Sequence, residues 1–151
     1  MIVTAALQKY SDRGVFRGLK TARRPGGRYE YTFSWLMQRS FTLSYDPARR
    51  VLSFKNLFPH VNARSPMATA LREVVAERST ARVPAHKRLD GRRAQASCGI
   101  HGGSFLLTMR VRGEHEGYAV QRLLGLVNEL FLVLHEAFPD YLAAEFGLSS
   151  E

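Results

Sequence analysis

The sequence predicts an α+β fold built on one antiparallel sheet of five or six strands with helices on one face. Three observations predict it. Residues 28–56 alternate apolar and polar positions in three successive runs, residues 94–112 do so in two more, and residues 118–138 carry a long apolar helical stripe. Strand runs separated by helices, rather than a regular βαβ alternation, argue for an antiparallel sheet. The chain has 151 residues, which suits a single domain spanning 1–151. A chain of that size can bury a core without help from metals or disulfides.

In chain order, residues 2–10 read as a short helix that ends near Asp12 and Gly14, and residues 15–23 as a strand. Arg24-Pro25-Gly26-Gly27 is a turn. Tyr29, Tyr31, Phe33 and Trp35 then fall on one face of a strand over 28–37, with Arg28, Glu30, Thr32 and Ser34 on the other. Phe41, Leu43 and Tyr45 repeat the pattern in 40–45. After the turn Asp46-Pro47-Ala48-Arg49, Leu52 and Phe54 point inward from 50–56. Tight turns join these strands into a meander.

Ser65 before Pro66 is a helix start, an N-cap oxygen followed by proline in the first turn. The helix is expected to run to about Ser79, with Met67, Leu71, Val74 and Val75 on its apolar side. Residues 80–93 form a basic loop. A hairpin follows: Ala94, Ala96, Cys98 and Ile100 face inward, His101-Gly102-Gly103-Ser104 turns the chain, and Phe105, Leu107, Met109 and Val111 face inward on the return. Its outer face is expected to carry Arg93, Gln95, Ser97, Thr108, Arg110 and Arg112. In the last long helix, Leu126 and Val133 widen the stripe formed by Leu123, Leu124, Val127, Leu130, Phe131 and Leu134. Such a helix lies deep in a core or at a subunit interface. Pro139 ends it, and Asp140 is the expected cap of a short terminal helix closed by Gly147.

The order α, β-meander, α, β-hairpin, α over residues 2–138 resembles the type III secretion chaperone-like fold, which also describes the YbjN-like proteins. The resemblance implies a small dimeric protein that binds other proteins without catalysis. Secretion chaperones are usually acidic, whereas this chain is basic.

Lys and Arg total 22 against 13 acids, a formal net charge of +9. A field of that sign draws nucleic acid, anionic lipid or an acidic partner. Lysine occurs only at Lys9, Lys20, Lys55 and Lys87, so the basic set is mostly arginine, the residue suited to bidentate phosphate contacts. Arg78, Arg82, His86, Lys87, Arg88, Arg92 and Arg93 lie within sixteen residues. Arg78, Arg82, Lys87, Arg88, Arg92 and Arg93, with Arg110 and Arg112, form the candidate polyanion-binding set, and Arg93, Arg110 and Arg112 on the hairpin's outer face are expected to make a stripe crossing the sheet.

Catalytic motifs do not emerge. None of the five histidines sits in an HExxH or Cys-pair setting, so no metal or cofactor is expected. Cys98 is the only cysteine, which excludes an internal disulfide, and its inward position makes it a small hydrophobe rather than a nucleophile. The glycine turns match no phosphate-loop pattern. Glu73 and Glu77 read as a solvated face, and Glu129 as a core carboxylate paired with an arginine such as Arg122. The start of the chain lacks the charge and apolar core of a secretory signal. No stretch reaches the ~18 apolar residues of a membrane span, so the cytoplasm is the expected location.

Three functional readings follow. The first is a non-catalytic module that binds a protein partner, adaptor or chaperone-like, as a homodimer; the over-apolar last helix motivates it. The second is an accessory nucleic-acid or polyanion binder. The third is an enzyme with a site around Tyr118, Glu129 and His135.

Overall fold

A computed structural model describes residues 1–147. The elements are α1 (Ile2–Asp12), β1 (Arg17–Arg24), β2 (Arg28–Trp35), β3 (Arg39–Asp46), β4 (Val51–Phe58), α2 (Pro66–Glu77), β5 (Ala94–His101), β6 (Ser104–Val111), α3 (Glu116–Ala137) and α4 (Pro139–Phe146). The six strands form one antiparallel sheet in the order β1-β2-β3-β4-β6-β5. The fold is α+β with a meander, an inserted hairpin and helices on one face, as the alternation predicts.

One face of the sheet carries nearly all the bulk. Tyr31, Phe33 and Trp35 of β2, Phe41, Leu43 and Tyr45 of β3, and Leu52 and Phe54 of β4 are buried. So are Phe105, Leu107, Met109 and Val111 of β6. α3 lies over them and buries nine residues, Leu126 among them. α1, α2 and α4 pack beside α3. The apolar width of α3 is therefore used inside the chain. By length and composition α3 also reaches what a membrane span needs, but half of that stretch is buried in the fold. The opposite face of the sheet is polar. Register aligns Glu30, Ser44, Ser53, Thr108 and Ser97 in one row across five strands.

Local chemistry accounts for the ends. Gly14 takes φ +77° where α1 stops, and Val15 N–H donates to Tyr10 O, so Val15 belongs to the helix end and not to the strand. Asp46 Oδ1 accepts from the N–H groups of Ala48 and Arg49 in the β3–β4 turn. Gly102 and Gly103 both have positive φ in the β5–β6 turn, as a tight hairpin requires. Ser65 Oγ accepts from Ala68 N–H at 3.1 Å and caps α2.

Several expectations are corrected. β2 stops at Trp35, and Leu36–Gln38 make a 3-10 turn in which Met37 and Gln38 are left-handed. β4 continues to Phe58 through an irregularity in its pairing with β6 between Phe54 and Phe58, which turns both Leu57 and Phe58 into the core. α2 ends at Glu77. α3 begins at Glu116, two residues earlier than its apolar stripe. Asp140 lies in the first turn of α4 and does not cap it; Phe138 holds the cap position without a side-chain bond.

Leu130 is fully buried, so Leu130→Ala should destabilise by about 2–5 kcal/mol, read as a shift of the urea midpoint. Ser65→Ala should cost about 1 kcal/mol in the same assay.

Candidate anion-binding groove

The basic segment 78–93 connects α2 to β5. β4 and β5 both run antiparallel to β6 and hence parallel to each other, so the chain must cross over the helical face between them. α2 makes the crossing, and residues 78–93 return the chain to the sheet edge beside the amino-terminal half of α3.

Tyr118 of α3 anchors this segment. Its hydroxyl accepts from Asp90 N–H at 2.8 Å. Its ring lies beneath the Arg93 guanidinium, 3.6 Å from the ring centre, with Arg122 near it at 5.2 Å. Cation–π contacts of this kind are each worth about 0.5–2 kcal/mol. Asp90 organises the other end. Its carboxylate accepts from Arg92 N–H at 3.0 Å and from the Arg92 and Arg93 Nε atoms at 3.3 Å each. The Arg92 backbone N–H first, then its guanidinium, hold the Asp90 carboxyl below the usual carboxylate range. Leu89 plugs the segment into the core, and its N–H donates to Arg78 O.

Three hollows surround the anchored segment. The first, of about 300 Å³, lies against α3 and is lined by Arg78, Lys87, Arg122 and Glu129 over an apolar floor of Leu89, Met109 and Leu126. The second brings Arg88, Arg92, Arg93 and Arg122 round Asp90. The third reaches past Ser79 and Gly91, round the free edge of β5, to Gln95 and Arg110. Leu89 lines all three and Arg122 the first two, so the three hollows adjoin round one segment and together make up the groove. It holds seven guanidinium or ammonium groups against two carboxylates, Asp90 and Glu129.

The predicted set is thus partly gathered. Arg78, Lys87, Arg88, Arg92, Arg93 and Arg110 line the groove. Arg82 does not; its Nη1 donates to Glu77 at 2.9 Å outside the hollows. Arg112 is exposed, and only its N–H meets Arg93, at the carbonyl oxygen. Arg93 itself is drawn to the helical side by Tyr118, which breaks the stripe expected on the outer face of the hairpin. Arg88 is partly structural, since its Nε and Nη2 both donate to Val83 O.

Arg122, Gln121, Gly125 and Asn128 were not among the sequence candidates for this site. Their signal was a polar strip at helical spacing, 121-125-128 and 122-125-129, on an otherwise apolar helix. Glu129 does not pair with Arg122, whose Nη1 donates to His86 O. Glu129 instead faces Arg78 at 3.8 Å and Lys87 at 3.9 Å. Tyr118 turns to Asp90, Glu129 to the recess, and His135 stacks edge-on against Phe131. The three do not converge.

Elsewhere, burial pushes the Cys98 thiol up, with Arg72 acting in the opposite sense. Among the described residues no three His, Cys, Asp or Glu side chains come together as a metal site. The chain matches no protein-family model, no curated protein and no solved structure.

Because the folded-state carboxyl of Asp90 is depressed, its contribution is present above the unfolded value of about 3.9 and is lost as pH falls through the folded value. Wild type should therefore exceed Asp90→Asn in thermal midpoint above about pH 4, and the gap should close on acidification. Curves that stay parallel down to low pH would remove Asp90 from this role.

Proposed function

We propose that this chain is a non-catalytic module that binds a polyanion, with a nucleic-acid strand as the natural occupant, along the groove formed by residues 78–93, α3 and the edge of β5. One observation carries the reading. The groove's cations outnumber its acids, and two of them, Arg78 and Arg93, are held in place rather than left as loose surface charge. Arg78 is only 14% exposed, and Arg93 is clamped between Tyr118 and Asp90. Pre-ordered guanidinium groups lose less entropy on binding phosphate than free ones.

The adjoining hollows pass from a helical face to a sheet edge. That shape suits a linear backbone of charges, whose neutralisation releases counterions. The connection itself is longer than most within compact domains, and loops of that length are often functional.

A protein-binding reading rested on the apolar breadth of α3. That breadth is occupied by the sheet and by α1, α2 and α4. Of its large apolar side chains only Leu132 is exposed, at 52%. The polyanion reading therefore comes first.

Mixed-sequence single-stranded RNA should bind at low salt, with log K falling against log[salt] at about 0.7 per contacted phosphate. Lys87→Ala combined with Arg92→Ala removes two groove cations that are 54% and 92% exposed and should flatten that slope by about 1.4. Arg82→Ala should leave it unchanged. Absence of binding at low salt, measured by fluorescence anisotropy, would overturn the reading.

A further inference from the structure

The first recess of the groove is built differently from the rest. It is closed behind by buried apolar side chains, Leu89, Met109 and Leu126, whereas the second hollow is walled mainly by arginines. Its volume of about 300 Å³ sits at the small end of ligand pockets.

Its wall on α3 includes Gly125, in the middle of a 22-residue helix. Glycine is the least favourable ordinary residue there apart from proline. Packing does not demand it, since a β-carbon at Gly125 would meet no atom within 4 Å. The missing side chain leaves the recess open.

The polar groups are equally specific. Arg78, Lys87 and Arg122 supply three positive charges against the single charge of Glu129. Glu129 stands 3.8 and 3.9 Å from Arg78 and Lys87, beyond hydrogen-bond distance, so all three keep donor or acceptor capacity. The Arg122 Nε is buried without a hydrogen-bond partner. Gln121 and Asn128 add amides at the rim.

A matching ligand needs a dianionic head for the cations, hydroxyl donors for the carboxylate, and a flat apolar body for the floor beside Gly125. A bare phosphate leaves the floor unused, and an apolar molecule leaves the cations unpaired. We infer that this recess binds one nucleoside monophosphate unit: phosphate at Arg78, Lys87 and Arg122, ribose hydroxyls at Glu129, and base against Leu89, Leu126 and Gly125. The inference deepens the polyanion reading by naming what one end of the groove recognises. The unit can come from a free nucleotide or from the phosphorylated end of a strand.

Calorimetric titration of the full chain with the four nucleoside 5′-monophosphates tests it, with inorganic phosphate, ribose 5-phosphate and unphosphorylated nucleosides as comparisons. At least one monophosphate should bind at least about tenfold tighter than any of its parts, a gap of about 1.4 kcal/mol. Gly125→Leu, which introduces a good helix former and fills the recess, should lower that affinity at least about tenfold. Long strands with unphosphorylated ends should lose less affinity than the monophosphate does, because the arginines of the second and third hollows remain. A 5′-phosphorylated strand outbinding its 5′-hydroxyl twin on wild type, but not on Gly125→Leu, identifies a strand end as the source; equal binding of the two, with tight free nucleotide, identifies the nucleotide. Inorganic phosphate binding as tightly as every monophosphate, or full nucleotide affinity in Gly125→Leu, would overturn the inference. Nucleotide binding without any strand binding would sink the polyanion groove and leave the recess standing. Circular dichroism of Gly125→Leu confirms that α3 is intact, and Asn128→Leu, which crowds the rim from the next turn, supplies a second variant with the same expected loss.

Discussion

The fold depends on a sheet with a single greasy face. Aromatic and aliphatic side chains from β2, β3, β4 and β6 all project to the same side, and only α3 is long enough to lie across them. Roughly 0.8 kcal/mol per buried methylene over that surface far exceeds any polar contact in the molecule. The remaining helices are placed by what α3 leaves uncovered. α1 is tied to the sheet where Tyr31, fully buried, reaches Thr4 Oγ1 at 2.7 Å with its hydroxyl, so its one polar atom is satisfied. α4 closes the other end, where Phe146 packs on Phe41, Phe58 and Phe131.

The same constraint decides where the arginines go. β6 pairs with β4, which leaves β5 as an edge strand parallel to β4 and forces a crossover. Residues 78–93, emerging from α2, settle against α3 with Leu89 and Val83 turned inward. Polar residues of the segment then fall between α3 and the sheet edge. Their order comes from few contacts: Asp90 to Tyr118, Arg93 on the Tyr118 ring, and Arg88 to Val83 O. Charge of one sign is concentrated by topology, and β1 at the far edge, with Arg17, Lys20, Arg23 and Arg24, remains a separate basic strip.

Period-2 alternation made five of the six strands and their inward residues legible, because a one-residue slip would reverse the faces. α3 was legible for the same kind of reason. Turn chemistry was readable where glycine or an Asx residue signalled it, and silent at Leu36–Gln38, where Met37 and Gln38 take left-handed backbone that their residue types do not advertise. The irregularity in β4 was hidden because the alternation read over 50–56 stops short of Leu57 and Phe58, which join the strand only through its pairing with β6. The candidate site was half legible. Its cations on residues 78–93 stand out by composition, but Arg122 and Gly125 belong to it only through a contact between segments some forty residues apart. The direction of Arg93 was decided by Tyr118, a tertiary effect that strand alternation cannot express.

The two acids of the groove behave differently, and the difference bears on how it works. Asp90 holds Arg92 and Arg93 by contacts of 3.0–3.3 Å within its own turn, so it serves to shape the segment. Glu129 meets Arg78 and Lys87 only at 3.8 and 3.9 Å, across two segments. A tight pair must be broken before a ligand can use its cation, whereas a loose one is relaxed with little loss. Removing Glu129 would leave Arg78, 14% exposed, with its charge partly desolvated and no counter-ion. On the proposed reading, a carboxylate near enough to offset that charge and too far to saturate it leaves the recess donors free for an incoming phosphate.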